Sequence, residues 1–273
     1  MDNAGSWFTL EGKTAVITGG SGFLAEYMAE AFLAAGAKVS LWSRSLKKLE
    51  HTQKKLVEKG AAAAAIEIRT INCGQPAEVE AGFDQTAASL GVPSILVNNA
   101  GGNHSRAPLI DQDLSAFRDV LEMNMVAGWF VPTQAFARRW IAAGLRGASI
   151  INVASLVAYK SLPTSWAYSA AKAGVMNVTK GSAKELGLYG IRVNSISPGF
   201  ILSGQNEAML LESREPFKLS ARGDKIVART PMERLGQAED LRGAMVFLAS
   251  EKASGFVTGI DIAVDGGFLC DNV

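Results

Sequence analysis

The stretch KTAVITGGSGFLA at residues 13–25 decides the fold. KTAVIT at 13–18 is short, apolar and β-branched, and reads as a buried strand. TGGSGFLA at 18–25 follows at once, and a helical pattern runs from Phe23 to Ala35, ended by Gly36. Glycines let the chain turn tightly between strand and helix and let a pyrophosphate approach the backbone. The free N–H groups and dipole of the helix N-terminus then attract the anion. Gly19, Gly20, Ser21, Phe23 and Leu24 are therefore candidate dinucleotide-binding residues. Phe23 and Ala25 stand where a fully glycine-rich turn would carry its second and third glycines.

The same alternation continues outward. Strand patterns are AKVSLW at 37–42, AAIEIR at 64–69, PSILVN at 93–98, ASIINVAS at 148–155, IRVNSIS at 191–197 and GIDIAVD at 259–265. Helical patterns fill 45–59, 76–90, roughly 114–143, 166–187 and 238–250. Strands and helices alternating in this way predict an α/β fold: a single-domain, Rossmann-like, doubly wound parallel sheet of about seven strands with helices on both faces. Near-continuous apolar strands agree, because parallel strands are buried on both sides. Residues 1–10 read as an N-terminal tail and 11–273 as one domain. Residues 199–230, rich in Gly, Ser, Pro and charge, read as a lid over a substrate.

Composition narrows the function classes. The chain has 273 residues, 48% apolar and 19% charged, with a formal net charge of +1. The charged share lies below the ~25% usual for globular proteins and leaves room for subunit contacts. A near-neutral chain offers no broad electrostatic argument for nucleic acid. Cys73 and Cys270 have no metal-like spacing, and a reducing compartment is the simplest reading. The N-terminus does not look like a signal peptide, and no apolar run nears the ~20 residues that span a bilayer. The expectation is a cytoplasmic protein with no membrane partner. His51 lies in a charged helix and His104 in a loop, so two histidines support neither a multi-His metal site nor a His-paired nucleophile.

Open parallel sheets bind ligands at the carboxyl ends of their strands. Ser43 and Arg44 end the second strand, where a carboxylate would favour NAD. A hydroxyl and a cation there suit a 2′-phosphate and favour NADP; the alternative is that Arg44 only solvates a loop. Asn72 and Cys73 follow the third strand, with Asn72 a candidate for the adenine edge. NNAG at 98–101 follows the fourth, offering Asn98, Asn99, Ala100 and Gly101 to the adenosine side.

Proton chemistry is suggested by YSAAK, which places Tyr168 and Lys172 at i and i+4 on one helical face. A free phenol has a pKa near ~10, and a nearby cation lowers it toward a useful working range. Ser155, at the end of the fifth strand, can hold a reacting oxygen. Asn124, a polar amide in the apolar stretch MNMVAG, needs a partner, for which a water leading to Lys172 is one choice. Singly, each residue has an ordinary structural explanation. Their order downstream of a dinucleotide turn is what joins them.

With TGGSGFLA, NNAG, Asn124, Ser155, YSAAK, PGF at 198–200 and VDGG at 264–267 in this order, the chain resembles the short-chain dehydrogenase/reductases over about 12–268. The resemblance implies an Asn124–Ser155–Tyr168–Lys172 catalytic tetrad, with Tyr168 and Lys172 also touching the cofactor, and a homodimer or homotetramer. It implies that Ile196 and Pro198 to Ser203 lie along the nicotinamide, among them Gly199 and Ile201, with Ser203 near the carboxamide. AGGNH at 100–104, PGFILSGQN at 198–206, DKIVARTPMERLG at 224–236 and LASEKASGFVTG at 248–259 are similar to the D-mannonate oxidoreductase (D-fructuronate reductase) type within that family. A sugar acid would need hydroxyl partners and a cation. Asn103, His104, Ser155, Gln205, Asn206 and Arg222 are the candidates, with Arg222 chosen for the carboxylate because a planar fork suits it; the alternative is a solvated lid arginine. The rival readings are the same chemistry on another sugar, a polyol, a steroid or a 3-oxoacyl group, and a non-catalytic dinucleotide-binding redox sensor.

Overall fold

The structure, a computed structural model, describes residues 4–204 and 206–270. The glycine-rich turn joins β1 (Thr14–Thr18) to α1 (Phe23–Ala34). Around β1 lie β2 (Lys38–Ser43), β3 (Ile66–Thr70), β4 (Ile95–Asn98), β5 (Ala148–Val153) and β6 (Ile191–Pro198). A small hairpin, β7 (Leu211–Ser213) and β8 (Lys218–Leu219), stands apart, and β9 (Asp261–Val264) returns to the main sheet. Seven strands pair in the order β3-β2-β1-β4-β5-β6-β9, and every pairing among them is parallel. Strand order reverses between β1 and β4, which opens a crevice above their carboxyl ends.

Helices cover both faces, so the central strands are buried throughout. On one face α1, α2 (Leu46–Glu58) and, later in the chain, Arg242–Ala249 place Phe32, Leu49, Leu56 and Met245 against Ile17, Leu41 and Ile95. On the other, α3 (Pro76–Leu90), α5 (Val131–Ala142) and α6 (Trp166–Leu186) carry the second core, with α4 (Leu114–Leu121) packed against α6. There Phe136 meets Phe83 and Trp140 edge-on, with ring centres 5.0 and 5.5 Å apart. Such pairs add about 0.5–1.5 kcal/mol each beyond the apolar area they bury.

Three expectations change in detail. The long helix over 114–143 is not uniform: Glu122–Phe130 is wound as a π-helix between α4 and α5. The tail over 1–10 is packed by its end, because Leu10 is buried and its N–H donates to the Ala35 carbonyl at 2.7 Å. The polar segment over 199–230 is folded, with α7 (Glu207–Leu210), the β7–β8 hairpin and α8 (Ala221–Val227). Leu210, Leu211 and Ile226 form a separate small core there with Leu235.

Candidate active site

The turn after β1 is held by backbone contact that only glycine permits. Gly19 has φ +62°, and a Cβ there would lie 2.9 Å from the Ala100 Cα. A Cβ on Gly20 would lie 2.8 Å from the Leu41 Cβ, so Gly20 is buried against β2 and does not line the groove. Thr18 Oγ1 donates to the Val97 carbonyl at 3.2 Å and accepts from the N–H groups of Asn99 and Ala100, both at 3.0 Å. The Asn99 amide donates to the carbonyls of Thr18 and Gly19 at 3.1 and 3.2 Å. Asn98, expected on the adenosine side, is instead buried beneath it, donating to Thr133 and Asn152 at 2.8 and 2.9 Å.

Two clefts meet over this turn and share Gly19, Gly22 and Gly101. One, of about 590 Å³, is lined by Ser21, Ser43, Arg44, Asn72, Cys73 and Ala100. Ser21 and Ser43 share a hydrogen bond of 2.7 Å, and the Asn72 amide oxygen accepts from the Gly74 N–H at 3.1 Å. Lys48, which the sequence reading did not single out, adds a second cation. Burial pushes the Cys73 thiol up to about 12, so it stays protonated. His104 lines this cleft and not the one around Tyr168, which separates it from the other substrate candidates.

The other cleft, of about 710 Å³, is lined by Phe23, Leu24, Asn103, Ser155, Tyr168 and Lys172, and by Pro198, Gly199, Ile201, Ser203 and Asn206. Ile196, expected along this wall, is fully buried in the core beneath it. Asn206 shapes its own loop, accepting from the Ser203 N–H at 2.9 Å and donating to the Ile201 carbonyl at 2.7 Å. Gln205 lies outside the described residues. Arg222 is exposed on α8, whose buried residues are Gly223 and Ile226, and it does not line the cleft. The arginine that does is Arg106, which sequence reasoning missed.

Tyr168 and Lys172 face the same cleft. Burial raises the Tyr168 phenol above its ordinary pKa, while a hydrogen bond with Ser155 and the charge of Arg106 pull it down. Lys172 is not the cation that acts most on the phenol. Its own ammonium is buried, donates to the Val153 carbonyl at 2.7 Å and is pushed down to about 8. The Asn124 amide donates to the Gly102 and Val120 carbonyls, both at 2.8 Å, and accepts from the Gly102 N–H at 3.2 Å. The two bonds with Gly102 hold the loop after β4, and the bond to Val120 ties the amide back to α4.

The joined clefts fit a dinucleotide. Their meeting point is glycine backbone, and α1 begins at Gly22 with no side-chain cap, which leaves the N–H groups of its first turn for an anion. Gly19, Ser21 and Gly22 would hold the phosphates, and Ser43, Arg44 and Lys48 the adenosine ribose. Among the described residues no cluster of three or more His, Cys, Asp or Glu side chains could hold a metal ion, and no helix is long and apolar enough to cross a membrane.

Comparison with known proteins agrees with this geometry. A family model described as enoyl-(acyl carrier protein) reductase matches residues 22–269. The uncharacterized oxidoreductase UxuB of Bacillus subtilis (strain 168) is 37% identical, over 95% of this chain and 96% of its own. A solved structure from Haemophilus influenza, described as a candidate D-mannonate oxidoreductase with bound NAD, superposes with a TM-score of 0.88 at 32% identity, covering 99% of both chains. A gluconate 5-dehydrogenase from Burkholderia cenocepacia J2315, in complex with NADP and tartrate, gives 0.87 at 33% identity, covering 98% of this chain and 99% of that one. The chain belongs to the short-chain dehydrogenase/reductase family, NAD(P)-dependent enzymes that act on CH–OH groups.

Proposed function

We propose that this enzyme interconverts a secondary alcohol and a ketone in a sugar acid of the D-mannonate/D-fructuronate type. The observation that carries this reading is Arg106, a guanidinium in the same cleft as Tyr168, Ser155 and Lys172. No carboxylate among the described residues pairs with it; its side chain reaches the Met209 sulfur at 3.9 Å. An unpaired planar cation suits a substrate carboxylate, and it takes the role first given to Arg222. The gluconate 5-dehydrogenase neighbour, in complex with tartrate, supports an acidic substrate class.

When bound, the nicotinamide supplies or accepts the hydride at the substrate carbon. Tyr168 gives its proton to the carbonyl oxygen in reduction and takes it back in oxidation. Ser155 donates to that oxygen as charge develops on it. Lys172 would hold the nicotinamide ribose. Asn124 acts through Gly102, fixing the loop that carries Asn103 and Arg106. The folded segment over 199–230 closes over the substrate, with Met209 and Asn206 on its inner side. NADP is favoured over NAD because Ser43, Arg44 and Lys48 gather a hydroxyl and two cations where a 2′-phosphate would lie.

Steady-state kinetics with D-fructuronate and with D-fructose, each with NADPH and NADH, test the reading. Preferential use of the acid is expected. Equal use of acid and uncharged ketose removes the carboxylate clamp, and exclusive use of another carbonyl class moves the enzyme to a different substrate.

A further inference from the structure

Arg106 sits on a stretch, residues 102–108, with no helix or strand of its own. A cation on such a loop selects a substrate only if the loop is held. Two of the ties come from the residues that open the helix bearing Tyr168. The Asn103 amide donates to the Ser165 hydroxyl at 3.1 Å, and the Trp166 indole N–H donates to the Ala107 carbonyl at 3.1 Å. A third tie, from the Gln112 amide to the Ser105 hydroxyl at 2.7 Å, holds the loop from the other side. Arg106 is thus bracketed on both sides. Thr164, just before the helix, has φ +68°, a conformation a β-branched residue adopts only where its surroundings impose it.

We infer that Ser165 and Trp166 are positioning residues: through Asn103 and Ala107 they fix where Arg106 stands relative to Tyr168, and so set the preference for an anionic substrate. The selectivity half of this inference rests on the sugar-acid reading above. The positional half does not, because Arg106 and Lys172 are the charged side chains that line the cleft with Tyr168, and Arg106 also pulls the phenol's pKa down.

The test uses the full-length enzyme as Ser165→Ala, Trp166→Phe and the double variant, with Arg106→Gln as reference. First, kcat/KM is measured for D-fructuronate and D-fructose. The ratio of acid to ketose should fall about tenfold in the double variant, the effect of loosening one charge-assisted contact. Second, the phenolate absorbance of Tyr168 is titrated without substrate, as the difference from the same protein carrying Tyr168→Phe. The midpoint should move upward, in the direction Arg106→Gln moves it. An unmoved midpoint overturns the inference whatever the substrate. If the wild-type enzyme prefers the acid, an unmoved ratio overturns it as well. If the wild type shows no such preference but the midpoint shifts, the sugar-acid reading fails and the positioning role stands.

Discussion

The Lys172 ammonium stands 5.6 Å from the centre of the Tyr168 ring and donates to the Val153 carbonyl at the end of β5. One helical turn separates the two residues along α6, and both reach the cleft. Burial drives them in opposite senses: the phenol is harder to ionise and the ammonium easier to discharge. A buried lysine without a carboxylate partner is poor for stability, which marks it as a group retained for its work on a ligand.

A pH dependence of stability follows. Lys172 is pushed from 10.5 to about 8 in the folded chain. Between those values the unfolded chain holds a proton that the folded chain has released, so this group's contribution to stability rises with pH across the window. Below about 8 the penalty is fully present. Lys172→Met should therefore melt above wild type at neutral pH, by a stabilisation on the order of 3 kcal/mol at most. The difference should shrink as pH is raised through the window, while turnover is lost. Thermal melts from pH 6 to about 10 check this, and a variant less stable than wild type at pH 7 would contradict it.

Gly128 sets how closely the π-wound segment meets the loop after β4. A Cβ there would lie 2.4 Å from the Ala100 carbonyl oxygen and 2.9 Å from that of Met123. Gly128→Ala should cost about 1–3 kcal/mol, the usual range for overpacking. It should also raise KM for the cofactor, because Asn124 and Gly102 move with that segment. Denaturant melts paired with cofactor titration check both effects. Wild-type stability would show that the segment shifts freely.

Cofactor choice is expected to reside at the end of β2. Arg44→Ala should weaken NADPH use about tenfold or more and leave NADH use nearly unchanged, since only NADPH brings a phosphate to that corner. Ratios of kcat/KM for the two cofactors give the answer. No loss with either cofactor would reassign Arg44 to the solvated loop, and an equal loss for both would contradict its role in choosing between them.

The sheet was legible because β-branched runs and 3.6-residue periods alternate along nearly the whole chain. Tyr168, Lys172 and Ser155 were legible because their spacing survives folding: two share a helix face and one ends a strand. The π-winding of Glu122–Phe130 left no mark, since in nine mostly apolar residues a slightly longer period buries much the same side chains. Arg106 was missed for a different reason. Its place depends on ties from Asn103 to Ser165 and from Trp166 to Ala107, which span 62 and 59 residues and have no local signature. Arg222 looked suitable as a lid cation, but α8 turns Gly223 and Ile226 inward and leaves it in solvent. Asn98 belongs to the same class of error: its pairing with Asn152 across β4 and β5 depends on register, which only the assembled sheet reveals.

The central claim is that the hydroxyl of Tyr168 carries the proton. Tyr168→Phe removes that oxygen and keeps the ring in its wall. Binding of NADPH, followed by fluorescence, should stay within about twofold of wild type, while turnover falls by about 10²–10⁴, the range a positioned acid–base group contributes. Turnover near the wild-type rate in a variant that binds cofactor normally would contradict the account.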